Sequence, residues 1–68
     1  MCDSLEKILR YVNEKGRVNV YEVAALFSDE PDLTWFARAL VALDHLAESG
    51  FIGITENRFE FCSLQGGA

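Results

Sequence analysis

The sequence predicts an α+β domain, predominantly helical, with three helices followed by a short C-terminal β-hairpin. Three observations carry this. Apolar residues recur with the 3.6-residue period of a helix in three separate stretches before Gly50. After Gly50 the period falls to 2, the alternation of a strand. The helical stretches open at the capping residues Asp3, Asn19 and Asp32, and the first and third close at glycines, Gly16 and Gly50.

The first helix is expected over residues 4–15. Asp3 and Glu6 have the spacing of a capping box, and Leu5, Ile8, Leu9 and Val12 form its buried stripe. Glu6, Lys7, Arg10 and Glu14 turn outward, and Gly16 ends the helix. Residues 17–20 read as a short β-like segment leading into a second capping box, Asn19 with Glu22. The second helix then spans 20–27, with Val23, Leu26 and Phe27 inward, the small Ala24 and Ala25 permitting close packing, and Tyr21 at the edge. The loop SDEPD follows, where Pro31 forbids simple continuation.

The chain is organised around residues 32–54, one long helix delivered straight into a strand. Asp32 is the expected cap, with Glu30 as cap and Pro31 at the first helical position as the alternative. At 100° per residue, Trp35, Phe36, Ala39, Leu40, Leu43 and Leu46 share one side with Ala47. Thr34, Arg38, Asp44, His45, Glu48 and Ser49 fall on the other. Gly50 suits the left-handed position after the helix, so Phe51 is expected to fold back on Leu46. In the hairpin, pairing Ile54 with Phe59 and Ile52 with Phe61 puts four apolar side chains on one face. Residues 1–62 thus form a single domain, and 63–68 read as a flexible tail.

At 68 residues the chain is near the lower limit for a core without metal or disulfide help, yet half its residues are hydrophobic. No apolar run reaches the length of a membrane span, and the N-terminal MCDSLEK lacks the features of a signal peptide. The expectation is a cytoplasmic protein, or a nuclear one in a eukaryote, with no membrane partner. Cys2 and Cys62 lack the paired spacing of a zinc or redox motif and read as reduced thiols, a terminal disulfide being the alternative. Net charge is −5, unevenly spread: residues 1–17 hold four bases against three acids, and the remainder two bases against eight acids.

Order and pattern together resemble a winged helix-turn-helix domain over residues 3–62. NVYEVAALF is similar to the second helix of that fold with its cap, and LVALDHLAESGFIGI to the end of its third helix running into the wing at 51–61. The resemblance implies that helices two and three form the helix-turn-helix pair. In DNA-binding members the outward face of the third helix enters the major groove; the matching positions here are Thr34, Ala37, Arg38, Val41, Asp44, His45 and Glu48. Asp44 and Glu48 would oppose phosphates there, with only Arg38 against them, and the wing offers only Arg58, between Glu56 and Glu60. Nucleic acid therefore remains an alternative partner, through Arg38 and Arg58 or through a basic surface of Lys7, Arg10, Lys15 and Arg17.

No catalytic residue, cofactor or metal is expected: His45 is the sole histidine and Asp44, its neighbour in sequence, points elsewhere on a helix. Trp35 and Phe36 belong to the apolar side and are assigned to the core rather than to base stacking. The leading expectation is a non-enzymatic module whose face of Ala37, Arg38, Val41, Asp44, His45 and Glu48 docks a protein partner or forms a homodimer in a nucleic-acid-associated assembly. Ala37 and Val41 would supply the apolar contact, ringed by charges that select a basic partner surface. The alternatives are a dimeric DNA-binding regulator and an acidic inhibitor that mimics nucleic acid.

Overall fold

A computed structural model describes residues 3–64. Helix α1 runs over Asp3–Lys15, one residue earlier than the capping box implies, so Asp3 is its first residue rather than its cap. Ile8 and Val12 are buried, and Leu5, Leu9 and Tyr11 half-buried. The helix closes on Gly16, whose φ of +86° suits a residue without Cβ and whose N–H donates to the Val12 carbonyl at 2.8 Å.

Strand β1, Arg17–Asn19, leads directly into helix α2, Val20–Ala25. The cap is as expected: Asn19 Oδ1 accepts from the Glu22 N–H at 2.9 Å. The reciprocal half differs, since Glu22 Oε1 accepts from the Asn19 side-chain amide at 3.4 Å instead of from backbone. Helix α2 also stops two residues early. The Leu26 and Phe27 N–H groups reach back only three residues, to the Val23 and Ala24 carbonyls, which tightens the last turn out of α-geometry.

Helix α3, Leu33–Glu48, starts at Asp32 and not at the Glu30–Pro31 alternative. Asp32 Oδ1 accepts from the Trp35 N–H at 3.1 Å, and its carbonyl from the Phe36 N–H at 3.0 Å. At the other end Gly50 has φ +86°, its N–H donates to the Ala47 carbonyl, and the Phe51 N–H donates to the Leu46 carbonyl at 2.9 Å. These are the paired bonds of a Schellman ending, and they aim the chain into β2, Ile52–Ile54.

Strand β3, Glu60–Ser63, lies between the other two strands in an antiparallel sheet of order β1-β3-β2. The domain is therefore α+β, three helices with a three-stranded sheet. The hairpin register differs from the expected one: Ile54 pairs with Phe61 and Ile52 with Ser63, a slip of two residues. A slip of two preserves the faces, so Ile52 and Phe61 remain buried, but Ile54 is 75% exposed and Phe59 moves into the connection, 42% exposed.

The cause is what holds β3 on its other side. Arg17, Val18 and Asn19 pair with Cys62, Phe61 and Glu60, and the Val20 N–H takes the Phe59 carbonyl at 2.9 Å. The connection is then braced locally. The Thr55 hydroxyl lies 2.9 Å from the Asn57 carbonyl and 3.2 Å from that of Glu60, and Asn57 Oδ1 accepts from the Phe59 N–H at 2.9 Å. Ser63, assigned to a tail by its sequence, closes the sheet instead, its N–H on the Gly16 carbonyl and its hydroxyl on Asn13 Oδ1, each at 2.8 Å. Leu64 follows it, exposed, and residues 65–68 of that tail lie outside the described residues.

The core sits between the three helices and the sheet. Leu43, Leu46, Ile52, Val12, Val18 and Val23 are its largest fully buried members with Val20, and no polar or charged residue is buried among those described. Each such side chain contributes about 1.5–3 kcal/mol by leaving water. Cys62 is a half-buried free thiol opposite Gly53, and the alternative of a Cys2–Cys62 bridge falls on a residue outside those described. No described helix is long and apolar enough to cross a membrane.

Candidate interaction surface on the third helix

Helix α3 buries Ala39, Leu43 and Leu46. Val41 stands two positions from both Ala39 and Leu43, so at 100° per residue it is turned about 200° from each. It is accordingly 68% exposed, the most outward point of the helix's middle turn. Ala37, Arg38, Asp44, His45 and Glu48 are exposed as well, so all six residues of the expected face are accessible.

The six do not share one environment. Asp44 and Glu48 border shallow clefts toward the hairpin, with Ile54, and Asp44 shares one of about 170 Å³ with Arg58. Ala37, Arg38, Val41 and His45 instead border a groove toward α1, completed by Leu5 and Ala42. This groove runs on into a deeper notch of about 280 Å³, floored by Ile8, Ala39 and Ala42 and walled by Phe27 and Trp35. Ser4, Arg38 and Ala42 line both, so notch and groove adjoin and together form the depression between α1 and α3. Among the described residues no carboxylate lines either part.

Two cations are fixed at the notch by aromatic rings. Phe27 and Trp35 lie parallel, 4° between planes and 6.1 Å between centroids. The Arg38 guanidinium sits 5.4 Å from the Trp35 centroid, and Lys7 Nζ 5.1 Å from that of Phe27. Lys7 also donates to the Leu26 carbonyl at 3.3 Å. Neither base has a carboxylate within 4.0 Å among the described residues.

The other bases are engaged elsewhere. Arg17 reaches the half-buried Glu60 at 3.5 Å and the exposed Glu56 at 3.7 Å, and exposed pairs of the latter kind carry little energy. Lys15 Nζ lies 6.0 Å from the Tyr11 ring, while Arg10 is exposed along a shallow groove with Glu6, Leu9 and Asn13. Lys7, Arg10, Lys15 and Arg17 thus meet four different sets of neighbours rather than one ligand-sized patch. Arg58 is exposed at the hairpin connection.

A second aromatic group lies on the opposite flank of α3. Phe36 packs against Tyr21 at 4.8 Å and against Phe59 at 5.6 Å, with tilted rings, tying α2, α3 and the hairpin connection together. Across the fold, the Tyr11 hydroxyl donates to Glu22 Oε2 at 3.0 Å. Burial raises the Tyr11 pKa above its ordinary value, reinforced by the hydrogen bond to Glu22 and by that carboxylate's charge. The His45 imidazole makes no hydrogen bond or ion pair among the described residues, and no group of three metal-ligating side chains converges among them.

The face of α3 could be read from helical spacing, whereas the notch could not. Its walls come from α1, the end of α2 and the start of α3. The only sequence signal for it was a surplus: Leu5, Phe27, Trp35 and Ala42 widen the apolar arcs beyond what the buried stripes fill. Compared with known proteins, the chain matches no family model, no curated protein and no solved structure.

Proposed function

We propose that the chain is a winged-helix domain that works as a non-enzymatic docking module, holding a protein partner or a second copy of itself through α3 in a nucleic-acid-associated assembly. The observed element order, with a helix pair α2–α3 followed by a hairpin and β1 closing the sheet, supports the fold reading. The single observation that carries the docking reading is Val41. It is a β-branched apolar side chain 68% exposed at the centre of the helix, beside exposed Ala37 and at the lip of an apolar groove. A partner covering that strip gains burial that the isolated domain leaves unused.

DNA reading by the same helix has weaker support. Asp44 and Glu48 are exposed where phosphates would lie, Arg17 is already paired with two glutamates, and Arg38 lies on Trp35. A duplex carries about one charge per 1.7 Å, and neutralising several is what gives affinity.

A photo-crosslinking residue at position 41 tests the proposal. It is expected to form protein adducts in cell extract that the same residue at Glu14, on the outward side of α1, does not form. Mixed-sequence duplex is expected not to bind at about 50 mM salt. Duplex binding that falls steeply toward about 200 mM and is lost on joint Arg38→Ala and Arg58→Ala replacement would replace this reading with the DNA-binding one.

A further inference from the structure

The depression between α1 and α3 carries more information than apolarity alone. In a chain with eleven acids, none lines it among the described residues, and its ionisable groups among them are Arg38 and His45, with Lys7 held beside the notch. The charges of α3 are segregated: acids on the hairpin flank, bases on the α1 flank. Arg38 is also prepared for a ligand. Its guanidinium is steadied on Trp35, yet none of its N–H groups has a partner among the described residues. A planar fork held in place with its donors open matches a carboxylate.

Length points the same way. From Trp35 to His45 the depression follows ten residues of α3, about 15 Å at 1.5 Å per residue, nearly three turns of a partner helix. Apolar anchors at i, i+4 and i+7 span about 10.5 Å and fit within it. The 280 Å³ notch takes the largest anchor against Phe27 and Trp35, and the lip at Val41 and Leu5 takes the last.

We propose that this depression receives an amphipathic helix of a protein partner whose apolar stripe is flanked by Asp or Glu, with a carboxylate set on Arg38 and another near Lys7. This rests on the docking reading and specifies its partner, reversing the expectation of a basic one. The expectation came from counting Asp44 and Glu48, three and seven residues beyond Val41, with the groove, although they border clefts toward the hairpin and do not line it.

The test is selection on the full chain from a displayed library of helical peptides about 15 residues long, with Leu at i, i+4 and i+7 and randomised flanks. Asp and Glu are expected to outnumber Lys and Arg at the flanks by about tenfold among binders. Selected peptides are expected to shift the emission of Trp35, the sole tryptophan. On an Arg38→Glu chain the preference is expected to invert. Because Arg38 and Val41 are exposed, variants at both positions keep the fold, which a circular-dichroism melt verifies.

Enrichment of basic flanks that still requires Val41 would overturn the acidic partner while leaving docking intact. No enrichment over a Val41→Glu chain would overturn both. A stable dimer in solution, dissociated by Arg38→Glu, would assign the depression to a second copy and overturn the separate partner.

Discussion

Replacing Gly53 by alanine tests the strand register, because the outcome depends on which residue stands opposite. Gly53 pairs with Cys62, and a Cβ built on it would meet Cys62 Sγ at 2.9 Å and Leu64 Cδ2 at 3.0 Å. Leu64 is 60% exposed and can swing aside, whereas the half-buried Cys62 sulfur, on a short side chain within the sheet, has less freedom. Overpacking of this kind costs about 1–3 kcal/mol. Against it, alanine in a strand gains about 0.5–1 kcal/mol over glycine through the unfolded chain. The net is a loss of up to about 2.5 kcal/mol. For a domain of this size 1 kcal/mol moves Tm by about 4–8 °C, so the variant should melt up to about 20 °C lower.

Removing the sulfur separates this cause from others. In a double-mutant cycle by thermal and urea melts under reducing conditions, Gly53→Ala combined with Cys62→Ala should recover most of the loss, with a coupling of about 1–2 kcal/mol. Had alternation alone set the pairing, Gly53 would face Glu60. A coupling of residue 53 to Glu60, or a Gly53→Ala chain more stable than the parent, would refute the register and with it the packing of the hairpin.

Two further outcomes follow from burial and from titration. Val41→Glu should leave stability within about 0.5 kcal/mol, while Leu43→Ala, two residues on and fully buried, should lose about 2–5 kcal/mol and approach unfolding; urea melts of the pair check the assignment of the faces of α3. Tyr11 holds its proton more tightly when folded, so its contribution is complete below the ordinary phenol pKa and is lost as pH rises through the raised one; Tyr11→Phe should flatten that alkaline decline in a pH series of melts.

What the sequence made legible was local. The caps at Asn19 and Asp32, the glycine endings at Gly16 and Gly50, and the inward stripe of α3 each depend on neighbours within four or five residues, and each stands where spacing put it. The register was hidden because alternation has period 2 and fixes only which face a residue takes; Ile54 opposite Phe59 and Ile54 opposite Phe61 satisfy it equally. The choice came from β1, through pairs such as Val18 with Phe61 and the Val20 bond to Phe59, contacts no local pattern encodes. The candidate surface divided along the same line. Exposure of Ala37 and Val41 follows from the helical wheel. The seating of Lys7 on Phe27 and the sorting of charges to the two flanks of α3 required three elements to meet in space.

The strand order β1-β3-β2 also governs how the chain reaches its fold. Strands β1 and β2 are three residues each and do not pair with one another; both wait for residues 60–63, the last strand among the described residues. Helices can form early from near contacts, but Arg17 meets Cys62 across 45 of the chain's 68 residues, and such distant closure slows folding relative to a helical bundle of equal length. The last of the four, Ser63, also bonds Gly16 and Asn13. Loosening β3 would therefore release the end of α1 and bare two strand edges at once, with Val18 and Ile52 uncovered beside them, so the residues that complete the domain are also the ones that keep its partly folded forms from joining edge to edge.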